Sequence, residues 1–215
     1  MKKNIALMLT LLFTSSTLLF TGCKKDDEDT VPPVVTLLGN NPEYVQVNKT
    51  YTDAGATATD DIDGTLSAPA SGTVNTSVVG TYTITYTATD REGNVGTAAR
   101  TVHVVNFDGT YDGNEICDVT GSNPGTITVE ASTVTANNGM TIENFAFAGN
   151  NVVANATFSG NKLTIPSQTI GSSTYSGTGT ISGVGTTANP LVFNITYLTT
   201  VGSVSQTCQA TFTKN

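Results

Sequence analysis

The sequence predicts an all-β protein of two units, a β-sandwich followed by an eight-stranded antiparallel up-and-down barrel. Three observations carry that expectation. Past the N-terminal apolar run, Thr, Val, Ser, Gly and Asn dominate, and β-branched Thr and Val fit a pleated, half-buried surface better than a helix. No later stretch sustains a 3.6-residue apolar period, whereas several segments alternate apolar and polar residues at period two. Short clusters of Gly, Asn, Asp and Ser punctuate these segments, some of the kind that join antiparallel neighbours.

The chain begins with Lys2 and Lys3, an apolar run from Ile5 to Phe20, and Thr21-Gly22 before Cys23. Residues 1–22 have the layout of an export signal, with a positive start, an apolar centre and a small-residue cleavage site. The apolar run is too short and wrongly flanked for a comfortable membrane span of about 20 residues. A cysteine at the cleavage point resembles a bacterial lipobox, which implies that Cys23 is lipidated and becomes the mature N-terminus. An ordinary signal peptide with a chance cysteine is the alternative. Cleavage leaves 193 of the 215 residues. The signal holds two of the nine basic residues and none of the seventeen acids, so the net charge moves from −8 to −10. A chain this acidic is a poor partner for nucleic acid.

Residues 23–33 read as a tether, because Lys24-Lys25-Asp26-Asp27-Glu28-Asp29 and Pro32-Pro33 favour an extended chain. A lysine and then a run of acids after the lipidated cysteine resembles the surface-export signal of Bacteroidetes lipoproteins. It implies a lipid-anchored outer-membrane protein exposed on the cell surface. The periplasmic face of the outer membrane is the alternative.

Residues 34–106 form the first unit. Thr81–Thr89 alternates strictly, with Tyr82, Ile84, Tyr86 and Ala88 on one face and threonines on the other. Asp90-Arg91-Glu92-Gly93-Asn94 supplies a turn, and Val95–Val105 returns as the partner strand. Val34–Leu38, Tyr44–Val47 and Ala54–Thr59 are shorter strand candidates, and strands at this spacing predict a sandwich. Val79–Asp90 with Gly93-Asn94 resembles the terminal hairpin of hyalin repeats and of Ig-like domains of bacterial surface proteins, including one known from pesticidal crystal proteins. Tyr51–Asp60 and Asp63-Gly64 match the bacterial Ig-like group more closely, and the hyalin cysteine pair is missing. The resemblance implies a spacer or adhesion module and brings no catalytic residue.

Residues 107–215 hold eight strand candidates near 107–118, 125–131, 140–148, 151–158, 162–170, 174–182, 190–199 and 203–213. Consecutive hairpins make a meander that loses its edges by closing, which predicts a lipocalin-like barrel, with an open sandwich as rival. Gly160–Gln168 followed by Tyr175–Gly179 resembles a pattern in small Bacteroidetes lipoprotein barrels. Alternation points Phe107, Tyr111, Phe158, Leu163, Ile165, Phe193, Ile195, Tyr197 and Phe212 to one face. These side chains would fill the interior, although eight strands can also enclose one small apolar ligand. With Cys23 lipidated, Cys117 and Cys208 remain to form a disulfide in an oxidising compartment, two free thiols being the alternative. They lie on the first and last strands, so bonded β-carbons within about 4.5 Å require a sheet that closes or nearly closes.

No enzyme is expected. His103 is the single histidine, on a strand, and no free cysteine stands beside it to build a nucleophile and base. Asp108, Asp112, Glu115, Asp118, Glu130 and Glu143 sit near strand ends or alternate with threonines, which reads as solubility rather than as a glycosidase pair. Asp60, Asp61 and Asp63 before Gly64, joined by Asp53 and Asp90, offer a partial calcium shell, and the alternative is an Asp/Gly turn that caps itself. No other cofactor is implied. The functional expectation is a lipid-anchored adhesion or ligand-capture module for an extracellular glycan or protein. A structural envelope protein without a ligand and a glycan-active hydrolase are the alternatives.

Overall fold

The computed structural model describes residues 28–131, 138–147 and 152–215, so Cys23 lies outside the described residues. The first unit contains β1 (Val34–Leu37), β2 (Glu43–Gln46), β3 (Ala56–Asp60), β4 (Gly64–Leu66), β5 (Ala70–Ser71), β6 (Gly80–Thr89) and β7 (Val95–Val105). They form two sheets, β1-β3-β4 and β2-β7-β6-β5, with β2 parallel to β7. Ile84, Tyr86 and Ala88 are buried on one face of β6, as its alternation requires. Ile84 and Tyr86 pack with Val45 and Val102, and Val35, Leu37 and Tyr51 lie against them. β4 and β5 are too short to show a period in the sequence, and their pairing partners define them.

The second unit contains β8 (Gly109–Cys117), β9 (Gly121–Ala131), β10 (Gly139–Glu143), β11 (Val153–Ser159), β12 (Lys162–Ile170), β13 (Ser173–Ser182), β14 (Val192–Val201) and β15 (Val204–Lys214). Each strand pairs antiparallel with the next, and β15 returns to pair with β8, closing an up-and-down barrel. The seam runs from Lys214 opposite Tyr111 to Cys208 opposite Cys117. Those two cysteines are bonded, with their α-carbons 4.1 Å apart.

Two local expectations change. Residues 122–124, which fall between the strand candidates near 107–118 and 125–131, lie inside β9, with Pro124 opposite Asn114. β10 pairs with β9 only across residues 128–131, so among the described residues the far side of Pro124 has no ladder partner and its missing N–H is tolerated. The strand expected over 140–148 ends at Glu143. Asn144 (φ 56°) and Ala146 (φ 63°) turn the chain, and Phe145 between them is fully buried in the barrel.

Aromatic side chains of the described residues pack together inside the lumen. Phe107, Tyr111, Phe145, Phe158, Phe193, Tyr197 and Phe212 all belong to one buried cluster. Phe145 packs against Tyr197 and Phe107 against Phe158, with ring centres 4.7 and 4.8 Å apart. Glycines at inward positions make room for these rings. A β-carbon on Gly113 would lie 2.5 Å from Phe212 Cδ1, and one on Gly177 2.6 Å from Tyr197 Cβ. Close packing of this kind leaves no allowance for an added methyl group.

The two units share an interface. Tyr44 of β2 is buried within the barrel's apolar cluster, and its hydroxyl donates to the Gly183 carbonyl at 3.2 Å. Gln46 accepts the Phe107 N–H at 2.7 Å and donates to Asn106 and Asp108, so its amide holds the short link between β7 and β8.

Candidate functional site

The acidic residues of the Ig-like unit divide into separate groups. Asp53 accepts the hydroxyls of Tyr51 at 2.8 Å and Tyr86 at 2.5 Å and pairs with Arg100 at 3.1 Å. Its burial works against the charge, but those two hydroxyls and the guanidinium hold its carboxyl below the usual value. Arg100 is 1% exposed and also donates to the carbonyls of Leu38, Asn40 and Gly55. Asp53 therefore serves the sandwich core and does not join the other acids proposed as calcium ligands.

Asp63 accepts the Arg91 backbone N–H at 2.7 Å and its guanidinium at 2.9 Å. Asp90 caps its own turn, accepting the backbone N–H and side-chain amide of Asn94 at 2.7 and 2.8 Å. Asp60 and Asp61 come together with Asp29, a residue of the acidic tether segment. One carboxylate oxygen from each of these three lies within 4.8 Å of the others. Of the five residues proposed for a cation, Asp60 and Asp61 belong to this group. Asp29 was missed because its neighbours in sequence are all tether, and its approach to β3 exists only in the fold.

On the barrel, an open groove of about 560 Å³ crosses the outer face of β13, β14, β15 and β8. Its lining includes Asn114, Ile116, Thr178, Thr180, Asn194, Thr196, Gln209 and Thr211, with no charged side chain. Thr211 donates to Asn194 at 2.9 Å and Ser122 donates to Asn114 at 2.9 Å, which fixes two of the amide groups. This surface offers donors and acceptors without charge, and Ile116, 58% exposed, adds an apolar side chain.

Glu115 departs from its expected role. It is 4% exposed and faces inward in phase with Tyr111 and Cys117, so the alternation of β8 was the available signal. Tyr197 donates to its Oε2 at 2.5 Å, and its Oε1 lies 3.1 Å from Cys117 Sγ. A disulfide sulfur carries no hydrogen, so this oxygen faces no donor there. Burial raises the carboxyl above its ordinary value, with the Tyr197 hydroxyl acting the other way. His103 packs beside Tyr44 at 4.9 Å and meets Thr81 Oγ1 through Nδ1 at 3.0 Å. Its imidazole is lowered by burial.

The fold thus defines a two-unit all-β protein, an Ig-like sandwich joined to a closed barrel. Residues 35–104 match the family model described as "Bacterial surface protein, Ig-like domain", and the barrel lies outside that match. The chain also has a structural likeness to the crystal structure of the lipoprotein BT2262 from Bacteroides thetaiotaomicron. That pair shares 12% identity, covering 85% of this chain and 100% of that one, with a TM-score of 0.35. No curated protein matches the sequence.

Proposed function

We propose that this is a non-catalytic lipoprotein of the bacterial cell surface, anchored through Cys23, whose Ig-like domain presents the barrel to an extracellular ligand. The lipobox-like Phe20-Thr21-Gly22-Cys23 and the acidic run after it support the anchor and the outer-membrane address. The groove on β13, β14, β15 and β8 supports capture of a neutral, hydroxyl-rich ligand such as a glycan. The observation that carries this reading is the pairing of a lumen packed with aromatic side chains with an uncharged polar groove outside it. An aromatic interior leaves the outer wall to do the binding, and hydroxyl and amide groups match a sugar's own donors and acceptors.

A glycan array on the whole chain tests the capture reading. Binding that falls at least tenfold in Thr196→Arg, with an unchanged melting temperature, is the expected result. No retained glycan at high micromolar protein overturns it. Membrane fractionation of Cys23→Ala tests the anchor, since the variant should leave the membrane or accumulate as uncleaved precursor.

A further inference from the structure

We infer that Asp29, Asp60 and Asp61 form a calcium site that fastens the N-terminal segment to the Ig-like domain. Asp29 is 9% exposed, and its two oxygens differ in their surroundings. Oδ1 accepts the Val31 N–H at 2.9 Å, whereas Oδ2 is fully enclosed and has no hydrogen-bond partner among the described residues. Asp60 repeats the pattern. Its Oδ1 accepts the N–H groups of Ile62 at 3.0 Å and Asp63 at 2.8 Å, and its Oδ2 is enclosed with no hydrogen-bond partner among the described residues. Two buried carboxylate oxygens without donors are costly, because burial removes water and supplies no hydrogen bond in exchange.

A divalent cation answers that cost directly. Calcium binds oxygens at 2.3–2.6 Å, so oxygens sharing one ion lie no more than about 5 Å apart. The ligand atoms of Asp29, Asp60 and Asp61 lie within 4.8 Å of one another. Asp61 is exposed, which leaves that side of the ion open to water for the rest of its six to eight ligands. Arg91, the basic residue on the facing turn, is already paired with Asp63 and Glu92.

The ion would complete an attachment that the protein has begun. Asn94 donates to the Asp29 carbonyl at 2.9 Å. Gly96 lets the chain lie close, since a β-carbon there would sit 1.8 Å from the Pro33 carbonyl oxygen. Calcium adds a bond from Asp29 to the end of β3, so the tether becomes fixed to the sandwich from residue 29 onward. At low calcium the junction loosens. The site requires neither the lipid anchor nor the groove, so it stands or falls separately from the function proposed above.

The test is calorimetric titration of calcium, and in parallel magnesium, into the full chain in detergent, with hydrogen exchange of the amides of residues 29–31. Calcium should bind at or below millimolar concentration, raise the melting temperature by several degrees and slow that exchange. Asp29→Asn and Asp60→Asn should each weaken binding tenfold or more. Asp61→Asn, at an exposed position, should do the same without disturbing a buried residue. No heat and no thermal shift at about 10 mM calcium overturns the site. Equal response to magnesium overturns the ion assignment, unaltered binding by Asp29→Asn overturns the ligand set, and binding without slowed exchange overturns the fastening.

Discussion

Cys117 and Cys208 stand directly opposite each other on β8 and β15, so the disulfide joins the first and last strands of the barrel at its seam. The bond closes a loop spanning 91 residues, and it sits at one end of a ladder that already pairs the two strands from Cys117 back to Tyr111.

Removing it should therefore cost stability without opening the barrel. The double variant Cys117→Ala/Cys208→Ala should lose about 4–5 kcal/mol in the loop-entropy view, since a loop of this length confines the unfolded chain strongly. Urea unfolding gives the loss, and a retained near-ultraviolet spectrum reports the intact core. A variant with no tertiary signal would show that the ladder cannot hold the seam alone.

The pairing of Asp53 with Arg100 makes the sandwich acid-sensitive. The Asp53 carboxyl is held below its ordinary value, so its contribution is present above the unfolded value, about 3.9. It is lost as pH falls through the lower folded value. Asp53→Asn should destabilise the sandwich at pH 7 toward the lower end of about 3–5 kcal/mol, because the aspartate side chain keeps 27% exposure while Arg100 is left buried. The difference from wild type should shrink in strong acid. A gap in urea midpoint that stays constant down to pH 2 would contradict this.

Glu115 gives the barrel the opposite pH dependence. Its folded value is raised, so stability is complete below the unfolded value of about 4.3 and declines as pH rises through the folded one. Glu115→Gln keeps an acceptor for Tyr197 and removes the buried charge. It should match wild type near pH 4 and exceed it at pH 8, measured by thermal melts at both. An advantage that grows on acidification would reverse the sign and reject the argument.

Much of the architecture was legible because period-two alternation reports one buried face per strand. Tyr82, Ile84, Tyr86 and Ala88 announced β6, and Tyr111, Phe193, Ile195 and Phe212 announced the barrel wall. Where alternation was too short to read, as in β4 and β5, neighbouring strands decided the structure. The break between the candidates near 107–118 and 125–131 closes up because Pro124 is accommodated on a side of β9 without a ladder partner among the described residues, and pairing is a property of the sheet. Glu115 misled for a related reason. Its inward phase was readable, but an acid in that phase was weighed by its chemistry rather than by its position.

The sequence by itself determined the all-β class and the hairpin order of the barrel, and it placed Cys117 and Cys208 on the first and last of those strands. These depend on local pattern and on counting. Only the tertiary structure decided which acids meet. Asp53 went to Arg100 in the core, Asp63 to Arg91, and Asp60 and Asp61 found Asp29 across some thirty residues of chain. Carboxylates look alike in a sequence, and their roles follow from which donors and charges the fold brings within a few ångströms.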